Sequence, residues 1–170
     1  MITASQLREL LAYDPETGLF TRRHDVVCGR GKGRVRIAAG QVVGGKTKKG
    51  YVSIMLCGHR AYAHRLAWLY VHGEWPAHHI DHINGDVSDN RLSNLRQATP
   101  LQNQWNCKKP RHNTTGFKGV TFHKKNRRYI AQINYRGNHI HLGCFETAEQ
   151  AHVAYAEASA RLHGSFGRKA

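Results

Sequence analysis

Residues 79–86 read HIDHINGD, residues 89–96 read DNRLSNLR, and residues 99–106 read TPLQNQWN. The first stretch sets a carboxylate beside an imidazole, Asp81 and His82, and an isolated pair of this kind is more often a surface turn than a reactive site. With 13 histidines in the chain, such pairs also arise by chance. The amides of Asn94 and Asn103 follow in the next two stretches, however, and four polar positions at this spacing indicate one common site.

The composition predicts a nucleic-acid partner. The 170 residues include 26 Lys and Arg against 11 Asp and Glu, which gives a formal net charge of +15. A basic chain of this kind attracts a polyanion such as DNA. No stretch approaches the roughly 18 apolar residues of a membrane span, so we expect no membrane partner. Residues 1–13 lack the charged start and apolar run of an export signal, which predicts an intracellular protein.

The cysteines argue against two other classes of protein. They lie far apart and form no C-x-x-C pair: Cys28, Cys57, Cys107 and Cys144. This pattern disfavours both a disulfide framework and a thiolate zinc site, and it predicts buried free thiols. A zinc site built from His78, His79 and His82 would lack a further Cys or His at a finger-like spacing.

The three quoted stretches resemble the HNH endonuclease family, and the resemblance covers residues 64–106. In that family a ββα unit carries an Asp-His pair at the end of one strand, a structural Asn on the second strand, and an Asn or His on the helix. The matching positions are Asp81 with His82, Asn94 and Asn103. The resemblance implies that the Asn94 amide binds backbone groups of the loop 84–91 and thereby aims His82.

These residue types also suit phosphodiester hydrolysis on chemical grounds. The reaction needs a deprotonated water, and a neutral imidazole is well matched to take that proton near neutral pH, so His82 is the expected general base. The phosphorane and the departing oxygen need positive charge, which Mg²⁺ or Mn²⁺ supplies through oxygen ligands. We expect Asp81 and Asn103 to bind this ion, because one carboxylate and one neutral amide leave it with net positive charge for the phosphate.

Three nearby positions carry further expectations. Arg65 precedes the ββα unit, as in similar sequences, and either contacts phosphate or forms a salt bridge at a helix end. Gly85 and Asn90 suit turn conformations with positive φ.

Local signals predict a mixed α+β chain. Capping-box pairs, Thr3 with Gln6 and Thr147 with Gln150, predict a short first helix and a last helix that ends before Gly164. Periodicity and turn residues predict a strand at 18–23, a basic loop at 26–49 with a strand at 41–43, a hairpin of 51–56 and 60–63, a helix at 64–71, and strands at 119–123, 129–136 and 138–145. We expect a nuclease domain at residues 1–107 with its ββα core at about 77–107, a linker at 108–115, and a second domain at 116–168.

The second domain resembles the AP2 DNA-binding domain over residues 115–167. The resemblance rests on GFKGV at 116–120, YIAQI at 129–133, HLGCFET at 141–147 and AEQA at 148–151. It implies a three-stranded antiparallel sheet that enters the major groove and is braced by one helix.

Period-two alternation assigns the two faces of this sheet. The side chains expected to point toward the helix are Val120, Phe122, Tyr129, Ala131 and Ile133. Alternation leaves Thr121, His123, Gln132, Asn134 and Arg136 on the opposite face. The AP2 resemblance implies DNA contacts at Lys118, Thr121, His123, Gln132, Asn134, His139 and His141. Two alternatives stay open here, a sheet that reads bases and a sheet that only grips phosphates.

Together, these features favour a metal-dependent endonuclease that acts on double-stranded DNA, a site-specific homing enzyme of phage or mobile-element type that nicks or cleaves. One alternative is a catalytically silent transcription regulator of AP2 type, and another is a non-specific phage nuclease. A single ββα unit implies one cut per chain, which is compatible with a monomer and leaves the oligomeric state open. We expect residues 1–107 alone to fold and to nick DNA weakly.

Overall fold

The structure is a computed structural model that describes residues 2–28, 35–110 and 112–168. The chain divides into two compact units, Met1–Gln97 and Ala98–Ala170. Short helices and small sheets alternate along both units, in agreement with the predicted α+β class. In the part of the chain that the structure describes, no helix is both long and apolar enough to cross a bilayer.

The first unit begins with α1 (Ala4–Leu10), which starts at the predicted capping box of Thr3 and Gln6. Three small antiparallel sheets follow. The first contains β1 (Leu11–Tyr13), β2 (Phe20–Arg22) and β5 (Val42–Val43), the second contains β3 (Val26–Cys28) and β4 (Val35–Ile37), and the third contains β6 (Gly45–Lys46), β7 (Val52–Leu56) and β8 (His59–Tyr62). The helix α2 (Ala63–His72) continues directly from β8, so the predicted hairpin and helix are confirmed.

The predicted basic loop at 26–49 contains the predicted strand near 41–43, but it also contains three short strands that were not predicted, β3, β4 and β6. Asp25 explains part of the difference. Its carboxylate accepts hydrogen bonds from the Arg36 guanidinium and from the backbone N–H of Ala39. Asp25, just before β3, therefore binds residues in and just after β4, the strand paired with β3. Residues 29–34 of the predicted loop lie outside the described residues.

A hydrophobic core holds α1, β2, β7 and α2 together. Its most deeply buried side chains come from these four elements and from β1: Leu7, Leu11, Phe20, Ile54, Leu66 and Leu69. Because α2 buries its apolar face in this core, the first turn of the helix, which carries His64 and Arg65, has a defined place relative to the sheets.

The three elements of the predicted ββα unit are all present. The strands β9 (His79–His82) and β10 (Leu95–Ala98) form a two-stranded sheet, and a 3-10 helix, Leu92–Asn94, leads into β10. The helix α3 (Pro100–Trp105) begins at a capping box of Thr99 and Gln102. Because the boundary between the two compact units falls between Gln97 and Ala98, this helix belongs to the second unit.

The second unit contains the predicted three-stranded antiparallel sheet with one helix. Its order is β11 (Val120–His123), β12 (Arg128–Tyr135), β13 (Asn138–Phe145), followed by α4 (Ala148–His163) and the 3-10 helix Gly164–Phe166. The helix starts at the predicted capping box of Thr147 and Gln150. Small side chains at Ala151 and Ala158 are buried, which lets α4 lie close to the sheet.

The core of this unit depends on a glycine at the start of β11. Gly119 has a φ of +73°, and a Cβ on this residue would lie 2.1 Å from a ring carbon of Tyr155. Val120, Ala131 and Ile133 face the helix as predicted, but Phe122 is 42% exposed and packs on Tyr129 with ring centroids 4.9 Å apart. Because Phe122 lies opposite Tyr129 in the register and Tyr129 packs against the core, Phe122 is on the predicted face of the sheet but is only partly covered there.

The expectation of buried thiols differs from the structure. Cys57, Cys107 and Cys144 are free thiols, but they are exposed rather than buried. The segment predicted as a linker is also attached to the second unit. Lys109 donates to the carbonyl of Gly116 at 2.6 Å, and further on the Asn113 amide donates to the carbonyl of Phe117 at 2.6 Å. The limits of the two functional domains stay a prediction.

Candidate functional site

Asp81 and His82 lie at the end of β9, and each residue is only 4% exposed. The neighbouring strand β10 supplies a cationic partner for the carboxylate. Arg96 donates from Nε at 2.9 Å and from Nη2 at 2.7 Å to Oδ2 of Asp81. A buried carboxylate is costly without such a partner, so the ion pair explains how a charged group is tolerated at this depth.

The hydrogen bonds of Asn90 define the tautomer of His82. Nδ2 of Asn90 donates to the carbonyl of Ser88 at 3.1 Å, so its Oδ1 is the atom that faces the imidazole, 3.4 Å from Nε2 of His82. An amide oxygen only accepts hydrogen bonds, so Nε2 carries the proton. In this neutral form the imidazole keeps one basic nitrogen.

The electrostatic surroundings keep His82 neutral. Burial lowers the pKa of His82 below its usual value, while the hydrogen bond with Asn90 and the charge of Asp81 act in the opposite direction. Burial is the larger effect, so the imidazole is neutral near neutral pH. This is the form that can accept a proton from water.

Three aromatic side chains, Tyr51, Tyr62 and His64, form a cluster that we call the aromatic wall. The ring of His64 meets the ring of His82 edge-on, with centroids 5.1 Å apart, and it stacks on Tyr62 at 5.5 Å. Tyr51 lies 6.0 Å from His82. Two rings of the wall, Tyr51 and His64, therefore lie against the imidazole of His82.

His64 itself predicts a pH dependence of stability. Burial lowers its pKa from 6.5 to about 3, so between these values the unfolded chain binds a proton that the folded chain does not. The free energy of unfolding should therefore be unaffected by His64 above pH ~6.5 and should fall by about 1.4 kcal/mol per pH unit as the pH is lowered toward ~3. In urea titrations across this pH range, the free energy of unfolding of His64→Phe should fall less steeply with decreasing pH than that of the parent. The same exchange at exposed His59 should leave the loss unchanged.

The loop that follows His82 is held by Asn94. Oδ1 of Asn94 accepts from the backbone N–H of Asn84 at 2.9 Å, and Nδ2 donates to the carbonyl of Asp89 at 2.8 Å. These are backbone hydrogen bonds of the kind that the family resemblance implies. Gly85 has the expected positive φ of 69°, but Asn90 does not adopt positive φ, and that expectation is wrong. Asn90 is instead a buried residue that contacts the imidazole.

The N-terminal hairpin of β1 and β2 supports the backbone at Asn90. The Tyr13 hydroxyl donates to the carbonyl of Asn90 at 2.7 Å, and the backbone N–H of Leu92 donates to the carbonyl of Pro15 at 3.0 Å. Gly18, with a φ of +73°, approaches so closely that a Cβ would lie 2.5 Å from the backbone of Asn90 and Arg91. This contact joins residues far apart in the sequence, which is why motif spacing alone did not identify Asn90.

We expect Asn90→Leu to lower the cleavage rate by about ten-fold or more, because the imidazole loses the acceptor that orients it and holds the proton on Nε2. DNA affinity should stay within a few-fold of the parent. Single-turnover kinetics and a binding titration separate the two quantities. Ser93→Ala, an exposed change in the nearby 3-10 helix, is the control, and an unchanged rate for Asn90→Leu would show that Asn90 does not orient His82.

The chemistry of the predicted ligands fits a hard divalent cation. Asp81 offers a buried carboxylate that already contacts a cationic group, and Asn103 on α3 offers an amide oxygen. Among residues 2–28, 35–110 and 112–168, no three His, Cys, Asp or Glu side chains lie close enough to hold a metal ion. A cation with few protein ligands relies on water and substrate phosphate for the rest of its shell.

The predicted DNA-facing side chains of the second unit are exposed on the sheet, with one exception. Register pairs Gln132 with His141 and Asn134 with His139, so these four side chains form two cross-strand rows on the face away from α4. The other exposed members are Thr121, His123 and Arg136. Lys118 is different, because its ammonium donates to the carbonyls of Trp105 at 2.6 Å and Cys107 at 2.8 Å.

Arg65 also has a contact of its own. Its guanidinium lies over the ring of Trp75, 5.7 Å from the centroid, and it lines a cavity of about 940 Å³ in the first unit. This cavity includes neither Asp81 nor His82. A role of Arg65 in binding phosphate stays a prediction.

Comparison with known proteins gives one matching family and two similar proteins. Residues 61–105 match the family described as HNH endonuclease. The chain is similar to Protein 3.8 of Escherichia phage T7, with 34% identity over 107 residues that cover 62% of this chain and 87% of that protein. It is also similar to a protein of Acanthamoeba polyphaga mimivirus named as an uncharacterized HNH endonuclease, with 32% identity over 111 residues that cover 61% of this chain and 54% of that protein. No solved structure matches the chain.

Proposed function

Because this chain belongs to the HNH endonuclease family and is a DNA-cleaving hydrolase, we propose that it is a site-specific, homing-type enzyme that uses Mg²⁺ or Mn²⁺. The observation that carries the proposal is the buried Asp81–His82 pair, in which Asn90 holds the proton on Nε2 of a neutral imidazole. Such a pair is suited to proton abstraction from water beside a cation.

In the proposed reaction His82 acts as the general base. Its neutral imidazole takes a proton from the attacking water, and Asn94 and Asn90 hold the loop and the ring so that the imidazole keeps its direction. HNH nucleases generally use a divalent metal ion, and a bound ion would supply positive charge for the phosphorane and the departing oxygen. Asp81 and Asn103 are the residues that would hold it.

We propose that the second unit is an AP2-like module that binds double-stranded DNA through the exposed face of β11–β13. The two cross-strand rows of Gln132, Asn134, His139 and His141 support this, because amide and imidazole groups can donate to and accept from base edges. The net charge of +15 supplies attraction for phosphates.

If the sheet reads bases, changes in these rows should alter specificity. Gln132→Ala and Asn134→Ala should each cost about 1–3 kcal/mol of discrimination at particular base positions, since an amide can pair bidentately with adenine. Lys125→Ala, in the exposed turn between β11 and β12, should instead lower the affinity for all DNA sequences alike. It should also reduce the slope of log affinity against log salt concentration by about 0.9. Competition binding with single-base variants of a selected site measures both effects. Equal losses on every sequence for all three variants would assign the sheet to phosphate contact only.

The test of the proposed function is a cleavage experiment on a random-sequence DNA library with Mg²⁺, in which the new ends are sequenced. A homing-type enzyme should leave ends at one sequence or a small related set. Ends spread evenly over the library would instead indicate a non-specific nuclease. The Asp81→Ala variant is the matched control, and ends that persist in that variant would come from another nuclease.

A further inference from the structure

Within the second unit, the short helix α3 is anchored at its C-terminal end by contacts with β12 and α4. It has only six residues, from Pro100 to Trp105, and none of them is buried. A helix of this length is not stable by itself in water. Its first turn is satisfied locally, because Thr99 and Gln102 form a capping box. The last turn is closed by the backbone N–H groups of Asn106 and Cys107, which donate to the carbonyls of Gln102 and Gln104. Contacts with β12 and α4 add to these local bonds.

The main contact is the ring of Trp105. It stacks on His163 of α4 with centroids 4.4 Å apart and planes inclined by 12°, and on Tyr135 of β12 with centroids 5.7 Å apart. Trp105 therefore ties α3 to both the sheet and the helix of the second unit. Stacked aromatic pairs of this kind add about 0.5–1.5 kcal/mol each beyond their buried area.

His163 is a rigid platform for this stack. It is 5% exposed, its Nε2 donates to the carbonyl of Asn134 at 2.9 Å, and its Nδ1 lies 3.4 Å from the hydroxyl of Ser159. Burial lowers the pKa of His163, so the ring is neutral at neutral pH. With both nitrogens in hydrogen bonds, the ring orientation is set by β12 and α4.

Two cations complete the anchor at the carbonyls that end α3. Nζ of Lys118 donates to the carbonyls of Trp105 at 2.6 Å and Cys107 at 2.8 Å, and Nη1 of Arg168 lies 3.4 Å from the carbonyl of Asn106. These carbonyls lack partners within the helix, and positive charge is favourable at a helix C-terminus. Lys118 thus acts here as a cap for α3.

The geometry of a helix relates this anchor to Asn103. Successive residues rotate by about 100°, so Asn103 and Trp105 project about 200° apart, on opposite sides of α3. We propose that the sheet and helix of the second unit are a scaffold for α3, in which Trp105, His163 and Lys118 are positioning residues for the Asn103 amide. The inference rests on the proposed function, in which Asn103 is a metal ligand.

A consequence is that the second unit contributes to cleavage as well as to DNA affinity. A chain that ends at residue 107 would lose Tyr135, His163 and Lys118 together, so α3 would keep its N-terminal cap and lose its C-terminal anchor. This differs from the expectation from sequence that residues 1–107 suffice for weak nicking. A ligand held loosely by about 1 Å is enough to lower catalysis strongly.

The test uses the full chain with Trp105→Ala. We expect turnover at saturating DNA to fall by about ten-fold or more, and the Mg²⁺ concentration for half-maximal rate to rise several-fold. DNA affinity in EDTA should stay within a few-fold of the parent. A readout independent of metal is hydrogen exchange, in which the Asn103 N–H, bonded to the carbonyl of Thr99 at 2.9 Å, should exchange faster than in the parent. Trp105→Phe should restore most of the rate, because the stack persists.

Gln104→Ala is the matched control, since Gln104 is an exposed neighbour on α3, and it should behave as the parent. If Trp105→Ala unfolds the second unit, the same measurements are made on Lys118→Met instead. That variant removes only the ammonium group that binds the carbonyls at the end of α3. The inference would be overturned if the folded variant needed the same Mg²⁺ concentration for half-maximal rate as the parent and its α3 amides exchanged at the parental rate. Asn103→Ala distinguishes a failure of the proposed metal ligand from a failure of the scaffold inference. An unchanged metal titration in Asn103→Ala would remove the proposed ligand, whereas a raised requirement there together with parental values for Trp105→Ala would overturn the scaffold alone.

Discussion

We expect His82→Ala to lower the single-turnover rate of DNA cleavage by about 10²- to 10⁴-fold, the usual contribution of a general base. The imidazole is buried, neutral and in contact with Asn90, and alanine offers no group that could accept the proton. DNA affinity should change by no more than a few-fold, because phosphate contacts elsewhere on this basic chain supply most of the binding. Cleavage under enzyme excess and a binding titration in EDTA measure the two quantities.

The control is His79→Ala, which changes an exposed histidine on the same strand, β9. It should cut DNA at the parental rate. A His82→Ala variant that cuts as fast as His79→Ala would place the general base elsewhere in the chain.

The second large effect concerns stability without metal. Arg96→Met should lower the free energy of unfolding by about 3–5 kcal/mol in EDTA, because it removes the guanidinium from a carboxylate that is 5% exposed. Added Mg²⁺ or Mn²⁺ should stabilise this variant more than the parent, since a cation at Asp81 would replace the lost positive charge. Urea unfolding with and without metal gives both values.

Arg91→Met is the matched control for this result. Arg91 pairs with Asp89, but its side chain is 50% exposed, and an ion pair at the surface contributes only about 0–1 kcal/mol. If Arg96→Met cost no more than Arg91→Met, the buried ion pair would not be a stabilising element of the site. Combining Asp81→Asn with Arg96→Met should recover part of the loss, because the buried side chain at position 81 is then neutral.

Local signals predicted most of the secondary structure. The capping boxes at Thr3 and Thr147 marked the starts of α1 and α4, because such a cap depends only on residues three positions apart. Alternating apolar residues and turn residues likewise identified the hairpin of β7 and β8 and the sheet of β11–β13. The same signals failed at β3 and β4, where glycine and basic residues obscure a ribbon that Asp25 holds together.

The site was predictable only in part, since motif spacing identifies side chains but not their neighbours. Asp81, His82 and Asn94 belong to one continuous motif, and the structure describes them on β9 and just before β10. Asn90 acquires its contact with the imidazole from the N-terminal hairpin, through a hydrogen bond from Tyr13 that spans 77 positions. His64 and Trp105 likewise contribute through rings from other elements, which no local pattern encodes.

The most direct test of the central claim is the conversion of supercoiled plasmid by the purified chain, with Mg²⁺, with Mn²⁺ and with EDTA. The account predicts nicked or linear product with at least one of the two ions, none with EDTA, and none when His82→Ala replaces the parent under the same conditions. Plasmid that is bound but stays intact with both ions would contradict the account, as would cutting that persists in EDTA.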